Sequence, residues 1–339
     1  MTSEANEFLW GTPVTTACRT IVWVALVAAI ACGGGCRSIP NSAPKGGRVA
    51  QLDAYREQAV QLRGLPLTSQ VAVERETPEA LLASLAKELD KPENRVFLAD
   101  TEFLLQQFRI LKAGDSLRGL YLKLMSQQVA AYYDPEKKRV AYVDENVAVV
   151  NKDAAAFPGM ERFVYVHEFC HAVEDAHFNL DLLMKASMLE LDRNLALTSL
   201  AEGNAVLVGM DSVCSEFPVN TATPLGAALV RLLGKMDMSE ATNELGACPP
   251  FLSGALLRPY FDGAVFCNRI RRNEGWQGID NVYRTRLPQT TAEILYPERR
   301  YLKAFKPAVF TPDSSLFAAG EQVCATNSLG ALGIALWLK

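Results

Sequence analysis

His167-Glu168-Phe169-Cys170-His171 contains two of the three histidines in this chain of 339 residues. Residues four positions apart lie on the same face of a helix, one turn above the other. Both imidazoles can therefore bind one Zn²⁺, with Glu168 beside a water on that ion. The pentapeptide predicts a helix that carries a zinc site suited to hydrolysis.

A catalytic zinc normally takes three protein ligands, so the two histidines need a partner. Glu202 is the first candidate, because its helical neighbours are apolar or small and a buried carboxylate without a partner is costly. Gly203 beside it would let another backbone approach closely. His177 is the alternative third ligand, since it follows His171 at the spacing of HExxHxxGxxH, although Glu174 replaces the glycine.

The motif also predicts a mechanism. Zinc lowers the pKa of its water, and Glu168 accepts the proton as general base. The oxyanion that follows needs a further donor, and a tyrosine is expected because the chain has no fourth histidine. The candidate tyrosines are Tyr296, Tyr301 and Tyr260. The carboxylates predicted to orient the imidazoles are Asp175 and Asp192.

The pattern around the motif predicts an α+β fold that is mostly α-helical. Residues 129–143 read as a β-hairpin around a turn at 134–138, and 71–74 read as a short strand. Helices are predicted over 50–62, 77–89, 93–113, 116–127 and 158–177, and within 180–214. The hairpin is expected to pack as an edge sheet on the motif helix. It either binds an extended peptide by main-chain hydrogen bonds or only covers the core.

Composition narrows the class of protein. The chain is 49% hydrophobic and 21% charged, which is typical of a globular protein rather than a disordered one. Its net charge of −4 and its lack of a Lys/Arg run interleaved with aromatics argue against a nucleic-acid partner.

The N-terminus predicts export. Residues 21–32 are an uninterrupted apolar run that is too short to span a bilayer and fits a signal peptide. Cys36, which follows three glycines and precedes a polar stretch, resembles the lipidated cysteine of a bacterial lipoprotein, and Cys32 is the alternative. We therefore expect a lipoprotein anchored in the cell envelope, facing the periplasm. A cleaved soluble form and an uncleaved anchor are the other possibilities.

Five cysteines follow Cys36. Cys170 lies within the motif helix and is predicted to be a small buried hydrophobic residue. The other four either form two disulfides in an oxidising compartment or stay as buried thiols. These four are Cys214, Cys248, Cys267 and Cys324.

The chain resembles the gluzincin group of HExxH metallopeptidases, through the motif helix and through 201–205, which look like the second-helix motif of aminopeptidase-type members. More narrowly, residues 132–135, 167–180, 192–205 and 288–302 resemble a family of exported bacterial zinc peptidases. The resemblance implies a zincin-like domain with His167, His171 and Glu202 on zinc and Glu168 as base. The longer gap between His171 and Glu202 implies an inserted segment, and Tyr296 stands where the narrower family would have histidine.

These observations predict a zinc metallopeptidase that cleaves peptides or proteins in the cell envelope. The alternatives are a non-catalytic zinc-binding envelope lipoprotein and a zinc hydrolase of a non-protein envelope substrate. The predicted organisation is a signal over 1–36, a flexible tether over 37–50 and one zincin-like domain over 51–339. That domain divides into a helical part at 51–125, an active-site core at 126–214 and a C-terminal helical part at 215–339.

Overall fold

A computed structural model describes residues 47–143, 159–187, 190–216, 219–235, 248–303, 306, 315 and 328–338. The predicted signal peptide, with Cys36 and Cys32, lies outside the described residues, as does most of the predicted tether. The last four residues of that tether, 47–50, already belong to the first helix. Within the described ranges, no helix combines the length and apolarity that a membrane crossing requires.

The described part of the chain is mostly helical with a small sheet, which confirms the predicted fold class. Its α-helices are α1 (Gly47–Arg63), α2 (Pro78–Leu89), α3 (Pro92–Gln107), α4 (Leu117–Gln128), α5 (Met160–Phe178), α6 (Leu180–Ser187), α7 (Leu191–Val213), α8 (Pro224–Leu233), α9 (Pro250–Thr285), α10 (Thr291–Leu295) and α11 (Gly330–Trp337). Its strands are β1 (Ala72–Glu76), β2 (Ala131–Asp134) and β3 (Arg139–Val143).

Local sequence signals set the ends of several helices. The side chain of Thr77 accepts a hydrogen bond from the Ala80 N–H and caps α2, and Ser116 caps α4 in the same way. Helix α3 was predicted to continue to residue 113, but it ends at Gln107. Arg109 adopts a left-handed φ of 57°, which is incompatible with a continuing right-handed helix.

The three strands form one sheet in the order β1-β3-β2. Strands β2 and β3 form the predicted antiparallel hairpin, with Tyr133 opposite Val140. Strand β1 pairs with β3 in parallel, with Glu74 opposite Ala141, a pairing between distant segments that the sequence pattern did not indicate. Both hairpin strands contact α5, so the sheet lies against the motif helix as predicted.

The central helix of the fold is α7, which packs between α5 and α9 and is almost entirely buried. Glycine makes its contact with α9 possible. A Cβ atom on Gly203 would lie 2.0 Å from the carbonyl carbon of Gly263, a distance that real Cβ contacts do not reach. Gly203 therefore does allow a close backbone approach, and the approaching backbone belongs to α9 rather than to the motif helix.

Of the two alternatives for the last four cysteines, two disulfides or buried thiols, the pair of disulfides does not form. Cys248 and Cys267 are free and buried, whereas two disulfides among four cysteines would use every one of them. Cys324 lies outside the described residues. Cys170 is buried and free, as expected of a thiol that serves as a small hydrophobic residue.

Candidate metal centre

Helices α5 and α7 bring three of the predicted ligand atoms together. The Nε2 atoms of His167 and His171 lie 3.1 Å apart. The Oε2 atom of Glu202 lies 3.1 Å from Nε2 of His167 and 3.3 Å from Nε2 of His171. All three side chains are buried, and within the described part of the chain they form a cluster that could bind one metal ion.

The size of this triangle fits a tetrahedral ion. Zinc lies about 2.0–2.1 Å from histidine nitrogen or carboxylate oxygen, so two ligand atoms at a tetrahedral angle are about 3.3 Å apart. The observed separations of 3.1–3.3 Å are close to that value. Two imidazoles and one carboxylate also match the ligand set of catalytic zinc sites, which leave a fourth position for water. The residues therefore fit a metal ion, although their geometry does not identify which one.

Glu174 orients His171. Its Oε2 lies 3.1 Å from Nδ1 of His171, the ring nitrogen that faces away from the triangle. The other oxygen, Oε1, accepts hydrogen bonds from Nδ2 of Asn204 and from the hydroxyl of Tyr283, the latter at 2.6 Å. Because all four side chains are buried, this network fixes the direction in which the Nε2 lone pair of His171 points.

Substituting Glu174 should therefore weaken metal binding without removing a ligand. We expect Glu174→Gln to lower zinc affinity about 10- to 100-fold, because the amide is a poorer acceptor for the imidazole N–H. Titration with a competing chelator measures this. Glu161→Gln on the same helix is the matched control, since Glu161 pairs with Arg48 and lies outside the cluster. Equal affinity in all three proteins would show that Glu174 has no part in positioning His171.

Aromatic rings, rather than a carboxylate, orient His167. Its ring is nearly parallel to the rings of Phe163 and Tyr260, with each pair of centroids 6.0 Å apart. Its buried Nδ1 has no hydrogen-bond partner within the described part of the chain. The two histidines of the motif are thus held differently, one by stacking and the other by hydrogen bonds.

Glu168 lies at the contact between α5 and the edge strand β2. The backbone N–H of Tyr133 donates a hydrogen bond to Oε2 of Glu168 at 2.9 Å. Burial raises the pKa of Glu168 to about 8; the positive charge of His171 and the Tyr133 hydrogen bond oppose the increase, and the negative charge of Glu202 adds to it. This part of β2 therefore faces the motif helix, so its N–H at Tyr133 is not available to an added peptide strand.

The three potential ligands influence one another's charge. Burial lowers the pKa of His167, whereas the carboxylates of Glu202 and Glu174 raise the pKa of His171 well above its usual value despite burial. Burial would raise the pKa of Glu202, but the positive charge of His171 and hydrogen bonds with both imidazoles lower it to about 2. Glu202 is thus a carboxylate, the form that binds a cation.

The other predicted ligand and orienting residues lie elsewhere. His177 is partly exposed at the end of α5 and bonds through Nε2 to the carbonyl of Pro66, so it is not part of the cluster.

Asp175 accepts hydrogen bonds from Tyr133 and Lys138, and Asp192 accepts two from Thr291 at the start of α10. Glu174 occupies the orienting position that was predicted for these two aspartates. Its position three residues after His171 was the feature of the sequence that could have identified this role.

The three predicted tyrosines differ in their distance from the cluster. Tyr260 stacks on His167 and shares a cavity with His171 and Glu202. Tyr301 uses its hydroxyl to donate a hydrogen bond to the carbonyl of Arg286, and Tyr296 is 53% exposed. Neither Tyr296 nor Tyr301 lines that cavity. Tyr260 is therefore the candidate that the structure places beside the cluster.

A largely apolar cavity opens onto the cluster. Residues of α4, α7 and α9 form most of its described walls, and His171 and Glu202 are among its lining residues. The cavity encloses about 100 Å³. An apolar cavity with a few convergent polar groups is the usual form of a binding site for a small ligand or side chain.

Comparisons with known proteins do not place the chain in a family. No protein-family model matches the sequence, and no curated protein matches it either. The chain is similar to the crystal structure of a protein from Chloroflexus aurantiacus described as a candidate hydrolase with a novel fold. The two are 19% identical, the similarity covers 83% of this chain and 95% of the other, and the TM-score is 0.45. A likeness of this size supports no conclusion about function, and the resemblance to gluzincins stays a prediction.

Proposed function

We propose that this protein is a zinc-dependent hydrolase that cleaves peptide bonds. One observation carries the proposal: His167, His171 and Glu202 form a buried triangle of ligand atoms with edges of 3.1–3.3 Å, and Glu168 lies beside it. Structural zinc sites usually have four protein ligands, whereas a site with three leaves one position for water or substrate. Three ligands with an adjacent acid are the arrangement typical of zinc hydrolases.

Each residue has a distinct role in this proposal. His167, His171 and Glu202 hold the ion, which supplies Lewis acidity and an activated water. The positive charge of a bound ion would lower the pKa of Glu168 from the value of about 8 that burial gives it. The carboxylate then accepts a proton and later donates it to the leaving amine, and its Oε2 is held in place by the N–H of Tyr133. Tyr260 is the proposed donor to the oxyanion, because of the three candidates it is the one beside the cluster.

The location of the protein belongs to the proposal as well. The apolar run at 21–32 and the cysteines that follow it support export and attachment to the cell envelope. Peptide bonds in envelope proteins would then be within its reach.

Metal analysis of the full chain tests the site itself. We expect about one zinc ion per chain in the wild type and in His177→Ala, and loss of most of the zinc in Glu202→Ala, because that variant removes a ligand rather than a supporting group. Atomic absorption on purified proteins measures the zinc content, and circular dichroism checks that each variant is folded. Loss of zinc in His177→Ala alone would show that the wrong third ligand has been assigned.

A further inference from the structure

The cavity beside the metal centre offers almost no polar groups to a ligand. Among the residues that the structure describes, His171 and Glu202 are the only lining side chains that are charged near neutral pH. Its other described walls are mainly leucines, with methionine, alanine and proline, three tyrosines, Asn194 and Thr198. A charged group that entered this space would lose its hydration and gain no partner.

The polar side chains in the lining already have partners inside the protein. Asn194 donates a hydrogen bond to Oγ of Ser187 at 3.1 Å, and the Thr198 hydroxyl lies 4.0 Å from the sulfur of Met184. The hydroxyl of Tyr133 donates to Asp175 at 2.7 Å. These three side chains are therefore not directed at a ligand. With Tyr260 assigned to the oxyanion, the rest of the cavity recognises its occupant by shape and apolarity.

The size of the cavity limits what can enter it. A cavity of about 150 Å³ lined by aliphatic and aromatic side chains accepts benzene. The cavity here encloses about 100 Å³, which suits an aliphatic side chain such as that of leucine better than an indole ring. Because His171 and Glu202 line the cavity, a side chain in it would belong to a residue next to the reacting carbonyl.

We propose that this cavity is the specificity pocket of the enzyme and selects peptides with a leucine-sized aliphatic residue adjacent to the cleaved bond. The inference rests on the proposed function, since it assumes that the bond is cleaved at the neighbouring metal centre. Burial of an aliphatic side chain supplies the affinity, and the desolvation of charge excludes lysine, arginine, aspartate and glutamate.

Peptide binding to the zinc-loaded Glu168→Gln protein tests the pocket without requiring turnover. The probes are three hexapeptides with alanine at every position except the fourth, which is leucine, lysine or tryptophan. Calorimetry gives their dissociation constants. Burial of the leucine side chain is favourable, whereas the lysine ammonium would lose its hydration, so we expect the leucine peptide to bind at least about 10-fold more tightly than the lysine peptide. The tryptophan peptide should also bind more weakly than the leucine peptide.

Two substitutions in the lining change the pocket in opposite directions. Ala255→Leu on α9 fills it and should remove the preference for leucine, whereas Ala83→Leu on the exposed face of α2 should not. Leu256→Ala enlarges it and should improve binding of the tryptophan peptide, with Leu82→Ala on α2 as the matched control. If the filled variant does not fold, the enlarged variant still tests the proposal.

The outcomes separate the pocket from the catalytic proposal. Equal binding of the leucine and lysine peptides, or binding of none, would overturn the pocket even if the wild type cleaves peptides. Failure of the wild-type protein to hydrolyse a peptide library would overturn the proposed function, and the binding comparison would then decide the pocket by itself. If the pocket variants prefer leucine as strongly as the wild type does, the recognised residue must bind outside this cavity.

Discussion

Glu168→Gln should abolish peptide hydrolysis and leave the zinc content unchanged. Glutamine has nearly the same shape and can still accept the hydrogen bond from the N–H of Tyr133, so the site should keep its geometry. It cannot accept the proton of a water molecule. General base catalysis contributes about 100- to 10,000-fold to a rate, and we expect a loss of kcat within this range.

The measurement combines turnover of a fluorogenic peptide library with zinc analysis of the same samples. Glu161→Gln is again the control, because it makes the same chemical change on the same helix, at a side chain paired with Arg48. Retained turnover in Glu168→Gln would exclude Glu168 as the base. Zinc content without cleavage of any peptide by the wild type would favour a non-catalytic metal protein. Cleavage of a cell-wall substrate instead would favour the non-protein alternative.

Gly203→Ala should be strongly destabilising, although the change adds only one methyl group. The added carbon would overlap the backbone of Gly263 at 2.0 Å, and a backbone contact cannot be relieved by a change of rotamer. Helices α7 and α9 would have to separate. Overpacking typically costs about 1–3 kcal/mol, and we expect a decrease in the free energy of unfolding of about 3 kcal/mol.

Urea denaturation followed by circular dichroism measures this change. Gly119→Ala on α4 is the control, because its Cβ would meet only Ser116 at an ordinary 3.5 Å. That variant should be unchanged or more stable by up to about 1 kcal/mol, since alanine favours helix over glycine. Zinc affinity should fall in Gly203→Ala and not in Gly119→Ala, because Glu202 moves with its neighbour. A Gly203→Ala protein as stable as the wild type would show that the two helices can separate at little cost.

Local patterns accounted for the parts of the fold and the site that depend on a few neighbouring residues. The spacing of the two motif histidines indicated a shared helical face, and the apolar neighbours of Glu202 indicated that its carboxylate is buried; both features are present. Glu174 was also within reach of sequence reasoning, because it lies three positions after His171 on one helix. It was interpreted as a replaced glycine rather than as a hydrogen-bond partner.

Tertiary packing decided the features that the sequence did not indicate. Tyr283 reaches Glu174 across 109 residues, and Tyr260 reaches His167 across a similar separation. Three tyrosines with equivalent chemistry could not be ranked until the position of Tyr260 beside His167 was known. The parallel pairing of β1 with β3 is similar, since it depends on how the chain returns between them rather than on either strand alone.

The hydrogen bond from the N–H of Tyr133 to Glu168 has a consequence for how sequences with this fold can diverge. A main-chain donor is present whatever side chain stands at that position, so nineteen of the twenty genetically encoded residues could in principle hold the glutamate in the same orientation. Proline alone lacks the hydrogen. Substitutions at position 133 can therefore accumulate without changing the orientation of Glu168. If distant relatives nevertheless keep tyrosine there, the hydroxyl contact with Asp175 would have to be the reason.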